Sequence, residues 1–167
     1  MKEVKEFHTV RGYQMLNSEQ KLLTSSMEDY LEMIYRICIK EGYIRINQLA
    51  LKLNVRPSST TKIVQKLKHL GLIEYQKYAI IQLTDEGQKI GQFLLKRHEI
   101  IEAFLRKLGI EETLLKDTEM MEHDMSLNTV KSLDLFNKFL EDNPEIIEQY
   151  KMFKERCYKE ISFESNQ

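Results

Sequence analysis

Potential metal ligands cluster in the stretch EMMEH, where Glu119, Glu122 and His123 fall within five residues. In a helix these positions, i, i+3 and i+4, share one face because each residue turns the chain by about 100°. Two carboxylates at that spacing repel each other unless a positive charge lies between them. The spacing therefore indicates part of a metal site, and the alternative is a solvated acidic face with a chance histidine.

Three further side chains could complete such a site. Asp29 and Glu32 stand at i and i+3 of a predicted helix, and His98 lies within the helical stretch KRHEIIEAF. HEIIE lacks the second histidine of the HExxH zinc-protease motif, so a structural role for His98 stays open. Four carboxylates and two neutral imidazoles would balance two divalent cations. Ligation rich in oxygen and free of thiolate favours Mn²⁺ or Fe²⁺ over structural zinc.

Composition limits the class of protein. A chain of 167 residues with 42% hydrophobic residues fits one globular domain or two small ones. No apolar run approaches the ~18 residues of a membrane span, and the start MKEVKEFHTV lacks the apolar segment of a signal peptide, so we expect a cytoplasmic protein. Cys38 and Cys157 form no CxxC pair and are expected to be thiols.

Charge is distributed unevenly along the chain. Residues 1–97 hold 16 Lys and Arg against 10 Asp and Glu, whereas residues 98–167 hold 9 against 16. The excess of positive charge in the first part predicts an anionic partner, and the acidic second part is compatible with binding cations.

The basic part has the element order of a winged helix-turn-helix. We predict a helix from Ser25 to Gly42, capped by Ser25 or Ser26, then a short strand, a short helix, a turn, a helix ended by Gly71, and two strands within residues 72–84. In this arrangement the helix after the turn enters the major groove of DNA.

We expect exposed hydroxyl and basic side chains of this motif to contact DNA. Gln65 could read a base, and the others could contact phosphates. The predicted DNA-binding residues are Arg56, Ser58, Ser59, Thr60, Thr61, Lys62, Gln65, Lys66, Lys77 and Tyr78. The alternative is a protein-interaction module whose lysines are simply solvated.

The acidic part is predicted to be helical throughout. Thr84 caps a long helix that ends at Gly109, and a short helix follows at residues 111–116. Asp117 or Thr118 then caps the helix that carries EMMEH. We therefore divide the chain into an arm at residues 1–23, a DNA-binding domain at 24–90, and a helical domain at 91–167.

The motifs SSMEDYLEMIY, RPSSTTKIVQKL, KIGQFLLKRHEIIEAFLRKLG and EMMEH together resemble the manganese transport regulators of the diphtheria toxin repressor family, from about residue 24 to about residue 150. The resemblance implies a mainly α fold, with an N-terminal winged helix-turn-helix followed by an α-helical metal-binding and dimerisation domain. It implies no SH3-like domain, which the larger members carry.

The resemblance also implies a function. It predicts a homodimer that binds a palindromic DNA operator when Mn²⁺ is bound and represses metal-uptake genes. It makes all six candidate residues ligands of a dinuclear site: Asp29, Glu32, His98, Glu119, Glu122 and His123. Iron-responsive members carry Met at the position of Asp29 and Cys at that of Glu119, so these two residues favour manganese.

The chain departs from the family at Asp124, where a second histidine is typical, and in its long N-terminal arm. Three alternatives stay open: an iron-responsive repressor of the same family, a regulator that senses an organic ligand, and a dinuclear metal hydrolase. The hydrolase would need a spare general base and a substrate cleft. Since the residues offer no spare base, we do not expect an enzyme. We also expect no organic substrate and no membrane partner.

Overall fold

The computed structural model describes residues 23–75 and 80–164. The chain divides into two compact units between Lys96 and Arg97. Almost all of the predicted N-terminal arm lies outside the described residues, as do Lys77 and Tyr78 of the predicted DNA-binding set. Within the described ranges, no helix has the length and apolar character needed to cross a membrane.

The first unit combines three helices with a small sheet. Its elements are α1 (Ser25–Glu41), β1 (Ile44–Arg45), α2 (Ile46–Lys52), α3 (Pro57–His69), β2 (Ile73–Tyr75) and β3 (Ile80–Leu83). The strands form an antiparallel sheet in the order β1-β3-β2, in which Ile81 of β3 lies opposite both Ile44 and Tyr75. The predicted winged helix-turn-helix order is confirmed, and β1 joins the hairpin as a third strand.

The ends of α1 depend on local side-chain and backbone chemistry. Gly42 ends the helix as predicted, with a left-handed φ of 79° that glycine adopts without steric cost. The prediction for the start is wrong by one residue. Thr24, rather than Ser25 or Ser26, is the N-cap, and its hydroxyl accepts a hydrogen bond from the Met27 backbone N–H at 3.4 Å. Thr24 alone has the extended backbone that a cap requires.

A long helix, α4, begins in the first unit and continues into the second. The remaining helices belong to the second unit. The bounds of these four helices are α4 (Asp85–Lys107), α5 (Leu114–Glu122), α6 (Leu127–Asp142) and α7 (Pro144–Glu164). Ile101, Leu105 and Leu114 form a buried apolar cluster that joins α4 to α5.

The prediction of two separate helices around Asp117 and Thr118 is wrong. Residues 114–122 form one helix, and Thr118 lies fully buried within it. Its hydroxyl donates to the Leu114 carbonyl at 2.8 Å, one turn back, instead of capping a new helix. A threonine in a helix interior can satisfy its hydroxyl in this way, so its presence did not mark a helix start.

A buried polar link fixes α6 against α4. The Asn137 amide donates to the Ile100 carbonyl at 2.9 Å and accepts from Lys107 at 3.3 Å. Lys107 also pairs with Glu141 at 2.8 Å. These contacts join two helices at points about two turns apart on α4, and they define the face of α6 that points into the second unit.

Two glycines let the first part of α4 pack closely against its neighbours within the first unit. A Cβ at Gly91 would lie 2.6 Å from the Cβ of Tyr35 on α1, and one at Gly87 would collide with the Leu72 carbonyl oxygen. Glycine lowers helix stability by roughly 1 kcal/mol relative to alanine, so its use here reflects close packing.

We predict that Gly91→Ala destabilises the protein by about 1–2 kcal/mol, because overpacking a tight contact outweighs the gain in helix propensity. Equilibrium unfolding in urea measures the change. Gln92→Ala, at an exposed position of the same helix turn, is the control and should change stability little. A Gly91→Ala protein at least as stable as the wild type would contradict the close contact.

Candidate metal centre and nucleic-acid interface

One buried carboxylate lies between two imidazoles in the second unit. Glu122 is 3% exposed, and its Oε2 lies 3.0 Å from His98 Nδ1. Its Oε1 lies 3.9 Å from His123 Nε2. Each oxygen of the carboxylate therefore faces a different histidine.

Local structure explains how these three side chains meet. His98 projects from α4 and is 7% exposed. Glu122 is the last residue of α5, and His123 is the C-cap that follows it. The apolar cluster of Ile101, Leu105 and Leu114 holds α4 and α5 together just beyond these residues. Packing between the two helices thus places His98 beside Glu122 although 24 residues separate them.

The donor set of this cluster suits a divalent cation. It offers two imidazole nitrogens and a carboxylate, with no thiolate, which is the ligand chemistry that Mn²⁺ and Fe²⁺ accept. A buried carboxylate also requires a compensating charge or hydrogen-bond donors, and histidines or a cation can supply them. Glu119, one turn earlier on α5, is exposed, so its predicted role as a ligand rests on spacing.

The acidic residues of α1 differ in their environment. Glu32 is 8% exposed and accepts two hydrogen bonds from Arg36, from Nε at 2.9 Å and from Nη2 at 2.6 Å, both on Oε1. Asp29, three residues earlier, is exposed. Glu28 is almost completely buried, which sequence reasoning missed, because its position in the first turn also suits a solvated acidic residue. Its i, i+4 spacing to Glu32 was the available signal.

The cysteines are free thiols, as predicted. Burial raises the pKa of Cys38 to about 11, and the nearby Glu41 carboxylate adds to this effect. A thiol with such a pKa stays protonated near neutral pH and is a poor metal ligand.

The N-terminal half of α3 presents a polar surface. Arg56 is the N-cap of the helix, and Ser58, Ser59 and Lys62 are exposed in its first turns. Gln65 and Lys66 are exposed one turn further on, and Thr61 is half-buried, with its hydroxyl donating to the Pro57 carbonyl at 2.9 Å. Free backbone N–H groups at a helix N-terminus and small hydroxyls suit contacts with phosphate.

Thr60 does not lie on this surface, and the expectation that it is exposed is wrong. It is fully buried, and its hydroxyl donates to the Arg56 carbonyl at 3.3 Å and lies 3.5 Å from the Tyr30 hydroxyl on α1. Positions 60, 64 and 67 follow i, i+4, i+7 spacing, so Thr60 faces inward with Val64 and Leu67. It helps attach α3 to α1.

Two family models match consecutive parts of the chain. The first, described as the iron dependent repressor N-terminal DNA binding domain, matches residues 22–80. The second, the iron dependent repressor metal binding and dimerisation domain, matches residues 84–151.

Curated relatives carry the same kind of description. The chain is 41% identical to the HTH-type transcriptional regulator MntR of Lysinibacillus sphaericus, over 78% of this chain and 95% of the relative. It is 44% identical to the regulator of the same name from Bacillus subtilis, over 73% of this chain and 87% of the relative.

Solved structures also resemble the chain. The manganese regulator SloR matches with a TM-score of 0.62 and 31% identity, over 70% of this chain and 55% of SloR. ScaR with bound Zn²⁺ matches with a TM-score of 0.57 and 31% identity, over 68% of this chain and 54% of ScaR. The chain thus spans about half the length of these two proteins.

We predict that Thr60→Val lowers the free energy of unfolding by about 1–2 kcal/mol, because the buried Tyr30 hydroxyl loses a partner. Urea denaturation checks the change. Thr61→Val, which removes a hydroxyl at a half-buried position of the same helix, should cost less. Equal effects of the two substitutions would argue against a packing role for Thr60.

Proposed function

We propose that this chain, which belongs to the iron-dependent repressor family, is a manganese-responsive transcriptional repressor that binds double-stranded DNA as a homodimer. The observation that carries the proposal is the buried Glu122 carboxylate between His98 and His123. The family descriptions and the manganese regulator among the similar structures support the choice of function and ion. Its site of action would be the cytoplasm, where operator DNA is accessible.

The proposed metal ligands include side chains from both units. They are Asp29, Glu32, His98, Glu119, Glu122 and His123, and the family resemblance supports a dinuclear arrangement. Within the second unit, the proximity of His98, Glu122 and His123 supports their part of the set. Within the first, the burial of Glu32 supports its part. When bound, divalent cations would supply the positive charge that a cluster of carboxylates needs.

Metal dependence would arise because the ligands hold two parts of the chain in one arrangement. Asp29 and Glu32 lie on α1, to which Thr60 attaches the recognition helix α3. A restraint on α1 would therefore also restrain α3. In a dimer, two such helices must be separated by about one DNA turn, ~34 Å, to enter successive major grooves. Metal favours DNA binding to the extent that it binds this arrangement better than others.

The proposal assigns DNA contacts to α3 and its cap. Lys62 and Lys66 would contact phosphates, and Gln65 would read a base edge. The DNA backbone would be contacted by four further residues, which position the helix: Arg56, Ser58, Ser59 and Thr61. Lys77 and Tyr78 are also proposed to contact the DNA backbone. Thr60 is left out of the DNA-binding set because it is buried.

We expect Mn²⁺ to tighten DNA binding by at least about tenfold, equivalent to roughly 1.4 kcal/mol. Duplexes selected by the wild-type protein from a random library in Mn²⁺ provide the probe, and fluorescence anisotropy at fixed salt, with Mn²⁺ or with EDTA, measures the affinity. Equal affinities under both conditions would sink the proposed function.

Glu122→Gln should abolish most of this activation, because an amide keeps the size of the side chain but loses the charge that faces both histidines. Glu112→Gln removes an exposed carboxylate of the same unit and serves as the matched control. Binding of Mn²⁺ followed by electron paramagnetic resonance gives a readout that is independent of DNA. Retention of full Mn²⁺ binding by the Glu122→Gln variant would remove Glu122 from the ligand set.

The name of the matching family favours a second candidate, an iron-responsive repressor. Asp29→Met tests this alternative, since a carboxylate at that position favours the hard ion Mn²⁺. We predict that the variant responds to Fe²⁺ at least as well as to Mn²⁺, measured by anaerobic DNA-binding titrations. Asp85→Asn, at an exposed position elsewhere, is the control. A wild-type protein that already prefers Fe²⁺ would favour the iron-responsive alternative.

A further inference from the structure

Arg36 forms a close ion pair with Glu32, the buried carboxylate of α1. Its Nε and Nη2 donate to Glu32 Oε1 at 2.9 Å and 2.6 Å. The two residues stand at i and i+4, so they lie on the same face of the helix, one turn apart. The Glu32 side chain is 10% exposed and the Arg36 side chain 38%, so water reaches the pair mainly at the arginine. A charge-assisted pair that is partly withdrawn from water is stronger than an ordinary surface ion pair.

Both hydrogen bonds from Arg36 end on one oxygen of the carboxylate. A carboxylate oxygen has about two lone pairs, and two N–H donors engage both of them. A divalent cation binds a carboxylate through the same lone pairs. Glu32 Oε1 therefore cannot accept both bonds from Arg36 and coordinate a cation at the same time.

The charge of Arg36 acts in the same direction as its hydrogen bonds. A guanidinium stays positively charged in a protein and has no acceptor, so it can neither lose its charge nor become a ligand. The partners of Glu122 differ in this respect, because a neutral imidazole supplies a ligand nitrogen. His98 and His123 can thus pass from partners of a carboxylate to ligands of a metal. Arg36 can only compete with the metal.

An arginine beside a ligand can also hold that ligand in the orientation that suits a metal. This benefit is small for Glu32, because burial already confines its side chain. Repulsion between a guanidinium and a divalent cation opposes metal binding whether or not the hydrogen bonds break, and it is larger where water is partly excluded. The net effect expected of Arg36 is therefore weaker binding of metal.

We propose that Arg36 competes with Mn²⁺ for the Glu32 carboxylate and thereby raises the metal concentration at which the chain responds. This inference rests on the proposed function, in which Glu32 is a ligand, and adds a residue that sets the threshold of the response. Without the competing guanidinium the site would fill at lower Mn²⁺ concentrations. Arg36 delays its filling until Mn²⁺ is more abundant.

Arg36→Met tests the competition, because methionine keeps an unbranched side chain with a similar helix propensity and removes the charge. Electron paramagnetic resonance of free Mn²⁺, in titrations of the full chain at fixed salt and pH, gives the concentration needed for half-saturation. We expect this concentration to fall by at least about tenfold in the variant.

Two further substitutions serve as matched controls. Arg106 pairs with Glu102 on α4 at the same i, i+4 spacing, with 2.5 Å between Nη2 and Oε1, and Glu102 is not among the proposed ligands. Arg106→Met therefore breaks the same kind of ion pair at another place. Lys40→Met removes an exposed positive charge one turn beyond Arg36 on α1. Each control should change the half-saturating Mn²⁺ concentration by less than about threefold.

The outcomes separate this inference from the proposed function. A half-saturating concentration that is unchanged or higher in Arg36→Met would overturn the competition, and so would an equal fall in Lys40→Met. A wild-type chain that binds no Mn²⁺ would instead refute the proposed function itself. Circular dichroism melting checks that each variant is folded, and Arg36→Gln takes the place of Arg36→Met if the latter is not.

Discussion

The arrangement of the second unit depends on the burial of one negative charge. Glu122 is 3% exposed, and transfer of a carboxylate from water into a protein interior costs several kcal/mol unless it gains partners. His98 and His123 occupy the two sides of this carboxylate. The apolar contacts between α4 and α5 therefore do more than stabilise a core, because they also bring the imidazole of His98 to a carboxylate 24 residues away. A cation at such a place would strengthen an arrangement that the chain already favours.

Spacing along the chain indicates which side chains can share one helix face, but it does not predict their burial. Glu119, Glu122 and His123 share a face at i, i+3 and i+4, yet Glu122 is buried and Glu119 is exposed. The difference arises from the position of α4, which covers only part of that face. Similarly, Thr60 and Ser59 carry the same functional group, and only their angles on α3 decide that one contacts α1 and the other water. Tertiary packing sets these distinctions, and local sequence does not contain them.

Most of the fold could be predicted because the residues that begin and end its helices act through local interactions. Gly42 ends α1, Thr84 precedes α4 and Pro144 begins α7, each for a reason that involves a few neighbouring residues. The errors occurred where one residue type can serve two purposes. Thr118 suits a cap and also an interior position that bonds back to the helix, and Thr24 competes with Ser25 and Ser26 for the cap of α1. Only the backbone conformation decides between such uses.

The proposed homodimer has a consequence for gene regulation. Because the proposed repressor binds DNA as a homodimer, the concentration of its active form at low protein levels rises with the square of the monomer concentration. The number of molecules in the cell then becomes a second input. A cell with few copies would respond weakly to a given metal level, and synthesis of more repressor would sharpen its response without any change in metal affinity.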